Sequence, residues 1–108
     1  MLSVQNLTDN RLLLGVPGDF DAVFASEARS RFEEIAETWS GDVTVDFMQS
    51  HFLDSSGIGA IVFLYKRLAA KGHGLEIVNI DGQPLDVIRS LRIDRVIPVR
   101  IAGAKVAS

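Results

Sequence analysis

Apolar residues recur along the chain with two periods, and these divide it into predicted strands and helices. Short segments that are rich in apolar residues, or alternate them with polar ones, predict strands at residues 2–4, 11–16, 43–48 and 75–80. Between and after these segments, apolar residues return at every third or fourth position, as is typical of amphipathic helices. The turn-rich residues 8–10 predict that the first two strands form a hairpin.

The first predicted helix begins between Asp21 and Ser26, since either side chain can cap a helix, and ends at Gly41. Its buried side is a stripe of apolar residues that are three or four positions apart. The stripe consists of Phe24, Ala28, Phe32, Ile35, Ala36 and Trp39. This spacing predicts a helix that covers one face of the sheet.

The second predicted helix runs from Ser56 to about Lys71, where glycines follow and close it. The third opens at Pro84, because proline is tolerated in the first turn, and continues through Leu91. Residues 96–99 predict a last strand at an edge of the sheet, the place in a sheet that tolerates a proline.

This order of elements predicts an α/β fold in a single domain over residues 1–108. The domain contains one mixed β-sheet of four to five strands, covered by three or so helices. Residues 102–108 are expected to form a frayed tail beyond the last strand.

Composition narrows the classes of function. The 108-residue chain is 47% hydrophobic, has a formal net charge of -3 and contains no basic run, which argues against direct binding of nucleic acid. It has no cysteine, so disulfides and thiolate metal sites are excluded, and a cytoplasmic location is expected. The longest apolar run, Gly57 to Tyr65, is far shorter than the roughly 20 residues of a membrane-spanning helix. No signal peptide is expected at the N-terminus.

The most informative chemistry lies in Phe52-Leu53-Asp54-Ser55-Ser56-Gly57-Ile58-Gly59, where a loop enters the second helix. Capping would explain the polar residues, because Asp54, Ser55 and Ser56 are all good N-cap types. A cap needs only one of them, however. The glycines that follow leave the helix start uncrowded, so another molecule could approach its backbone closely. The pattern leaves both interpretations open.

A helical wheel of the second helix separates a core side from an outer side. The core side comprises Ile58, Ile61, Val62, Tyr65, Leu68 and Ala69. Phe63 falls on the outer side with Ser56, Gly59 and Arg67. A large aromatic residue beside small ones is typical of a partner-binding surface, which would then include Gly59, Phe63 and Arg67. Alternatively, a neighbouring element covers Phe63.

Three successive motifs are similar to the signatures of one family: Gly18-Asp19-Phe20-Asp21, Val45-Asp46-Phe47 and the segment at 52–59. They resemble the STAS domain, which is named for sulfate transporters and anti-sigma factor antagonists, and the resemblance covers nearly the whole chain. It implies a mixed sheet with helices packed mainly on one face.

The resemblance also implies a partner switch. The unmodified protein would bind an anti-sigma factor that is itself a serine protein kinase, and phosphorylation of Ser55 would release it until a serine phosphatase acts. Asp21 and Asp54 are carried over as neighbours of the phosphorylated serine. Ser56 matches a second hydroxyl position of the family, and Ser56 and Gly57 are also expected to be neighbours of the site.

Other functions are less well supported by the sequence. His51, Asp54 and Ser55 are residue types of a catalytic triad, but triad groups normally converge from separate elements, so we expect no enzyme. Gly57-Ile58-Gly59 lacks the Gly-Lys-Ser/Thr ending of a phosphate loop, and the histidines lie far apart, so no cofactor or metal is expected. One alternative keeps the fold: a STAS-type subunit or scaffold of a transport ATPase or sensory complex, independent of phosphorylation.

Overall fold

The computed structural model describes residues 2–103 of the chain. In order, these residues form β1 (Ser3–Thr8), β2 (Arg11–Gly15), α1 (Ala22–Thr38), β3 (Asp42–Asp46), α2 (Ser55–Ala69), β4 (Leu75–Ile80), α3 (Gly82–Ser90), a short 3₁₀ helix (Ile93–Arg95) and β5 (Val99–Ile101). The α/β order predicted from the periodicity of apolar residues is confirmed.

Across the described residues the strands form one five-stranded mixed sheet in sequential order, from β1 to β5. β1 and β2 pair antiparallel as the predicted hairpin, and β2, β3, β4 and β5 are parallel neighbours. Crossovers between parallel strands are right-handed, so strands that follow one another in order place their connecting helices on the same face. The predicted sheet with helices packed mainly on one face is therefore confirmed.

The hydrophobic core lies between this face of the sheet and the helices. Val43 and Val45 of the central strand are fully buried, and Phe32 from α1 and Leu64 and Leu68 from α2 pack in the same cluster. The apolar stripes of the helices and the inward residues of the strands thus bury each other, as the two periods require.

The opposite face of the sheet carries polar side chains that pair across strands. Arg11 donates to the Thr44 hydroxyl at 2.9 Å and to Glu76 at 3.1 Å, and it also pairs with Asp42 at 3.4 Å. The Thr44 hydroxyl in turn donates to Glu76 at 2.9 Å. This network satisfies the polar groups of a threonine that is buried within the sheet.

The last strand lies later in the chain than predicted. Ile93 begins a 3₁₀ turn. Its carbonyl accepts hydrogen bonds from the N–H groups of Val96 and Ile97, at 2.9 and 2.8 Å. These N–H groups are therefore unavailable to a strand ladder, and β5 begins only at Val99. The prediction of a strand at 96–99 is wrong because a helical turn takes its backbone hydrogen bonds.

The first residue of the expected tail at 102–108 is hydrogen-bonded to the sheet. The N–H of Ala102 donates to the carbonyl of Ile80 at 2.8 Å, which ties it to the end of β4. Residues 104–108 lie outside the described residues.

The residues of α2 that are buried differ in part from those that the helical wheel predicts. The buried residues are Gly57, Ile58, Ala60, Ile61, Leu64 and Leu68. Val62 and Tyr65 pack against the core but stay half-buried, and Ala69 is exposed, so its predicted core position is wrong. At Gly57 the start of α2 lies close to Leu53 and Phe20.

Candidate functional site

Two loops and the helix starts that follow them meet where β2 and β3 end, and we name residues 16–24 and 47–57 the loop edge. Phe20, just before α1, and Leu53, just before α2, form a parallel bridge and are fully buried. The N–H of Phe20 donates to the carbonyl of Phe52 at 2.7 Å. This bridge holds the first turns of α1 and α2 side by side.

An aspartate caps each of these two helices. The carboxylate of Asp21 accepts from the N–H of Phe24 at 3.0 Å. One carboxylate oxygen of Asp54 accepts from the N–H groups of Ser56 and Gly57, at 2.9 and 3.2 Å. The free N–H groups of a helix start need such acceptors. The two aspartates that the resemblance assigns to the site therefore lie at adjacent helix starts, and α1 begins at the earlier of its two predicted caps.

Ser55 is the first residue of α2, and its side chain is exposed. Because Asp54 already accepts from the free N–H groups of the first turn, the Ser55 hydroxyl is not needed as a cap. Ser56, the next residue, is exposed as well. Of the three polar residues that could cap this helix, Asp54 does so, which leaves two accessible hydroxyl groups beside it.

Gly57 is required for close packing. A Cβ at this position would lie 2.6 Å from the Leu53 side chain, 2.7 Å from the carbonyl oxygen of Phe20 and 2.9 Å from its ring. The expectation that this glycine opens the backbone to another molecule is therefore wrong, because the chain's own loop fills the space. At Gly59, which is exposed, a Cβ would meet nothing within 4 Å among the described residues.

Gln83 of α3 holds the second loop of the loop edge, and its role could not be predicted from the sequence. Its side-chain oxygen accepts from the N–H of Leu53 at 2.8 Å, and its side-chain nitrogen donates to the Leu53 carbonyl at 2.9 Å. Both backbone groups of Leu53 are thus held by one amide. Nothing in the local pattern around Gln83 indicates a contact with a residue 30 positions away.

Large apolar side chains of the loop edge are exposed. Val23 is 72% exposed, Met48 60% and Phe52 38%. Exposed large apolar side chains at one end of a sheet are a feature that a protein-binding surface would use. Their exposure could not be predicted, because the alternation of apolar residues places Met48 at the end of a strand and Phe52 stands out only as part of the motif at 52–59.

The side of α2 that carries Gly59, Phe63 and Arg67 faces α1. A groove between the two helices is lined mainly by small residues: Ala22, Ala25, Ser26, Arg29, Ser30, Ser56, Gly59 and Ala60. Farther along, the ring of Phe63 is half-buried, and its centroid lies 4.2 Å from the guanidinium carbon of Arg29 and 5.2 Å from that of Arg67. Arg29 of α1 therefore covers part of the Phe63 ring, as one of the two interpretations expected. A partner-binding role for Gly59, Phe63 and Arg67 stays a prediction.

The residue types of a catalytic triad do not form one. Among residues 2–103, no side-chain hydrogen bond joins His51 or Ser55 to Asp54, whose carboxylate accepts from backbone N–H groups instead. In the same part of the chain, no three histidine or carboxylate side chains gather as a metal site. No helix within it has the length and apolar character needed to cross a bilayer.

The family model of the STAS domain matches the sequence over residues 3–104. The resemblance indicated by the three motifs is thereby confirmed. No curated protein sequence matches the chain.

Solved structures with the same fold include three proteins that are described differently: an anti-sigma factor antagonist, a phosphorylated cell fate determinant and a sulfate transporter family protein. An anti-sigma factor antagonist from Mycobacterium paratuberculosis has a TM-score of 0.82 and 19% identity, over 93% of this chain and 84% of that one. The phosphorylated form of SpoIIAA, a Bacillus cell fate determinant, has a TM-score of 0.74 and 15% identity, over 92% and 90%. A sulfate transporter family protein from Wolinella succinogenes has a TM-score of 0.75 and 11% identity, over 89% and 80%. At these identities the likeness establishes the fold.

Proposed function

Because this chain belongs to the STAS domain family, we propose that it is an anti-sigma factor antagonist that works as a phospho-switch. The unmodified protein binds an anti-sigma factor that is also a serine protein kinase. Phosphorylation of Ser55 dissociates the complex, and a serine phosphatase restores binding. In this proposal the protein acts in the cytoplasm, catalyses no reaction, and regulates transcription without contacting nucleic acid.

The observation that carries the proposal is the position of Ser55. Its side chain is exposed at the first residue of α2, and the capping role that would otherwise explain a serine here belongs to Asp54. A kinase can reach such a hydroxyl, and its loss or modification removes no hydrogen bond that the helix start requires. The hydroxyl is therefore free to serve regulation.

The electrostatics of the loop edge explain how a phosphate would act there. Phosphorylation adds a charge of about -1.5 to -2, and the start of a helix tolerates negative charge, so the fold should survive. The carboxylates of Asp21 and Asp54 already lie at the two adjacent helix starts. A partner docked on this edge would have to desolvate the new dianion beside them, which is costly without a matching cation.

The surroundings of Ser55 support docking of a protein. Val23, Met48 and Phe52 expose apolar surface on the loop edge. The groove between α1 and α2 begins at the same edge and includes Ser56 and Gly59. In this proposal the partner covers the loop edge and the groove together, so Ser55 lies inside the contact area.

The test is a binding titration with the partner kinase, after it has been captured with the Ser55→Ala chain and purified. We expect Ser55→Ala to bind as tightly as the unmodified wild type. Ser55→Asp should bind at least about tenfold more weakly, because the carboxylate places a charge in the desolvated contact, and tenfold corresponds to about 1.4 kcal/mol.

Ser40→Asp is the matched control. Ser40 is exposed and follows the C-terminal end of α1, which lies at the opposite ends of the strands from the loop edge. The same charge is therefore added away from the proposed contact. Its affinity should equal that of the wild type. Equal affinity of Ser55→Asp and the wild type would reject the switch.

The second candidate is a STAS-type subunit or scaffold of a transport ATPase or sensory complex. The likeness of fold to a sulfate transporter family protein supports it. Phosphorylation would then have no role. In that case Ser55→Asp would leave the cellular phenotype unchanged, whereas deletion of the protein would not.

A further inference from the structure

A pair of arginines shares one aromatic ring at the far end of the α1–α2 groove. The guanidinium carbons of Arg29 from α1 and Arg67 from α2 lie 4.2 and 5.2 Å from the ring centroid of Phe63. We name these three residues the arginine cluster. The ring attracts each cation, but two cations beside one ring also repel each other.

Within residues 2–103 neither of these guanidinium groups forms an ion pair with a carboxylate. Arg31, two positions after Arg29 on the same helix, behaves differently, since it pairs with Glu34 at 3.2 Å. Arg29 stacks on Phe63 and does not pair with Glu33 one turn along α1. Two uncompensated positive charges are thus concentrated at one place on a chain whose formal net charge is -3.

We infer that the arginine cluster binds a carboxylate side chain of the protein partner that occupies the groove. A guanidinium group offers a planar fork of N–H donors that fits a carboxylate, and stacking on Phe63 fixes the orientation of that fork. A carboxylate bound beside the two guanidinium groups also offsets the repulsion between them. The inference rests on the proposed function, because it assigns an acidic residue to the same partner.

The cluster is a second anchor, distinct from the phosphorylation site. Ser55 and Arg67 are twelve residues apart on α2, which is about 18 Å along the helix axis. A phosphate on Ser55 therefore cannot itself reach the Arg67 end of the cluster. The small residues of the groove leave room for a partner segment that extends from the loop edge to the cluster.

The first arm of the test needs no partner. The Nε–Hε signals of the arginines are followed by NMR while sodium glutarate, a simple dicarboxylate, replaces sodium chloride at constant ionic strength. Signals of Arg29 and Arg67 should shift together and saturate, whereas that of Arg31 should not respond, because it is already paired. Arg67→Met should abolish saturation at Arg29. Shifts that are alike at all arginines, or that do not saturate, would overturn the inference.

The second arm uses the kinase captured with the Ser55→Ala chain and purified. Arg29→Met and Arg67→Met keep side chains of similar length without charge, and each should weaken binding at least about tenfold. Arg31→Met is the control and should change affinity less than about threefold. Because the anchors are separate, the ratio of affinities between Ser55→Ala and Ser55→Asp should persist in the methionine variants.

The two arms separate the two ideas. If the kinase binds the wild type and both methionine variants equally, the carboxylate site is wrong while the phospho-switch stands. If glutarate saturates the cluster but no kinase binds the unmodified chain, the proposed function fails, while the cluster stands as a carboxylate site.

Discussion

The starts of α1 and α2 are built alike but carry different chemistry. Each is preceded by a buried residue of the same parallel bridge, Phe20 before α1 and Leu53 before α2, and each is capped by the aspartate that follows. After the cap, however, α1 continues with alanine and valine, whereas α2 continues with two exposed serines. The shared features serve the fold, and the feature that differs is the one assigned to regulation.

This comparison separates residues that hold the two helix starts together from residues that only α2 presents to solvent. Gly57 and the two aspartates belong to the first group, because each makes or permits a contact within the chain. Ser55 belongs to the second. Substitutions in the first group should therefore change the free energy of unfolding, and substitutions of Ser55 should change partner binding.

The largest expected effect on stability is at Gly57. In Gly57→Ala the new Cβ would press on the carbonyl oxygen of Phe20, only 2.7 Å away, and on Leu53 at 2.6 Å, so the two helix starts must move apart. Overpacking of this kind costs about 1–3 kcal/mol. Urea unfolding should show this loss, with a melting temperature lower by several degrees.

Gly59→Ala provides the matched control on the same helix. Apart from the chain neighbours and the backbone of its own helix, no described residue lies within 4 Å of the Cβ position at Gly59, so alanine gains helix propensity without a clash. We expect stabilisation of up to about 1 kcal/mol. If both alanine variants were equally stable, the close packing between the helix starts would not matter to the fold.

A smaller loss is expected when the caps are removed. Asp54→Ala leaves the N–H groups of Ser56 and Gly57 without their acceptor, and Asp21→Ala does the same for one N–H group, that of Phe24. Loss of an N-cap side chain costs about 0.5–2 kcal/mol. Chemical unfolding should rank Asp54→Ala as the more destabilised variant.

The cap variants also test whether the Ser55 hydroxyl contributes to capping α2. If Ser55 could replace the missing cap, Asp54→Ala would be nearly neutral, and the double variant with Ser55→Ala would be much less stable. We expect the second substitution to add less than about 0.5 kcal/mol, as for an exposed residue away from structural contacts. A larger additional loss of stability would mean that Ser55 has a structural role.

Most of the fold could be predicted because the two apolar periods are strong. The stripe through Phe32 and the alternation at Val43 and Val45 place α1 and β3 correctly, since burial on one side is what each period encodes. The last strand could not be placed, because hydrogen bonds to the carbonyl of Ile93 form a helical turn where the apolar residues alone favour a strand.

Less of the candidate site could be predicted, because its contacts join residues that are far apart in the chain. The local pattern offered three possible caps before α2 and could not show that Asp54 takes that role. Arg29 belongs to the polar side of α1, and only the arrangement of the two helices places it on Phe63. Gln83 contacts Leu53 across 30 positions, a distance that no helical or strand period reaches.

A small effect on stability is also expected from adding a charge at the first position of either helix. In Ser55→Asp and Ala22→Asp the new carboxylate gains about 0.3–1 kcal/mol from the helix start, but it adjoins a capping aspartate that repels it. The free energy of unfolding of both variants should therefore stay within about 1 kcal/mol of the wild type in urea titrations at low salt. Because an aspartate caps each helix start, both variants should change stability by a similar small amount. A large loss in Ser55→Asp alone would mean that weaker partner binding reflects unfolding and not repulsion at the docking surface.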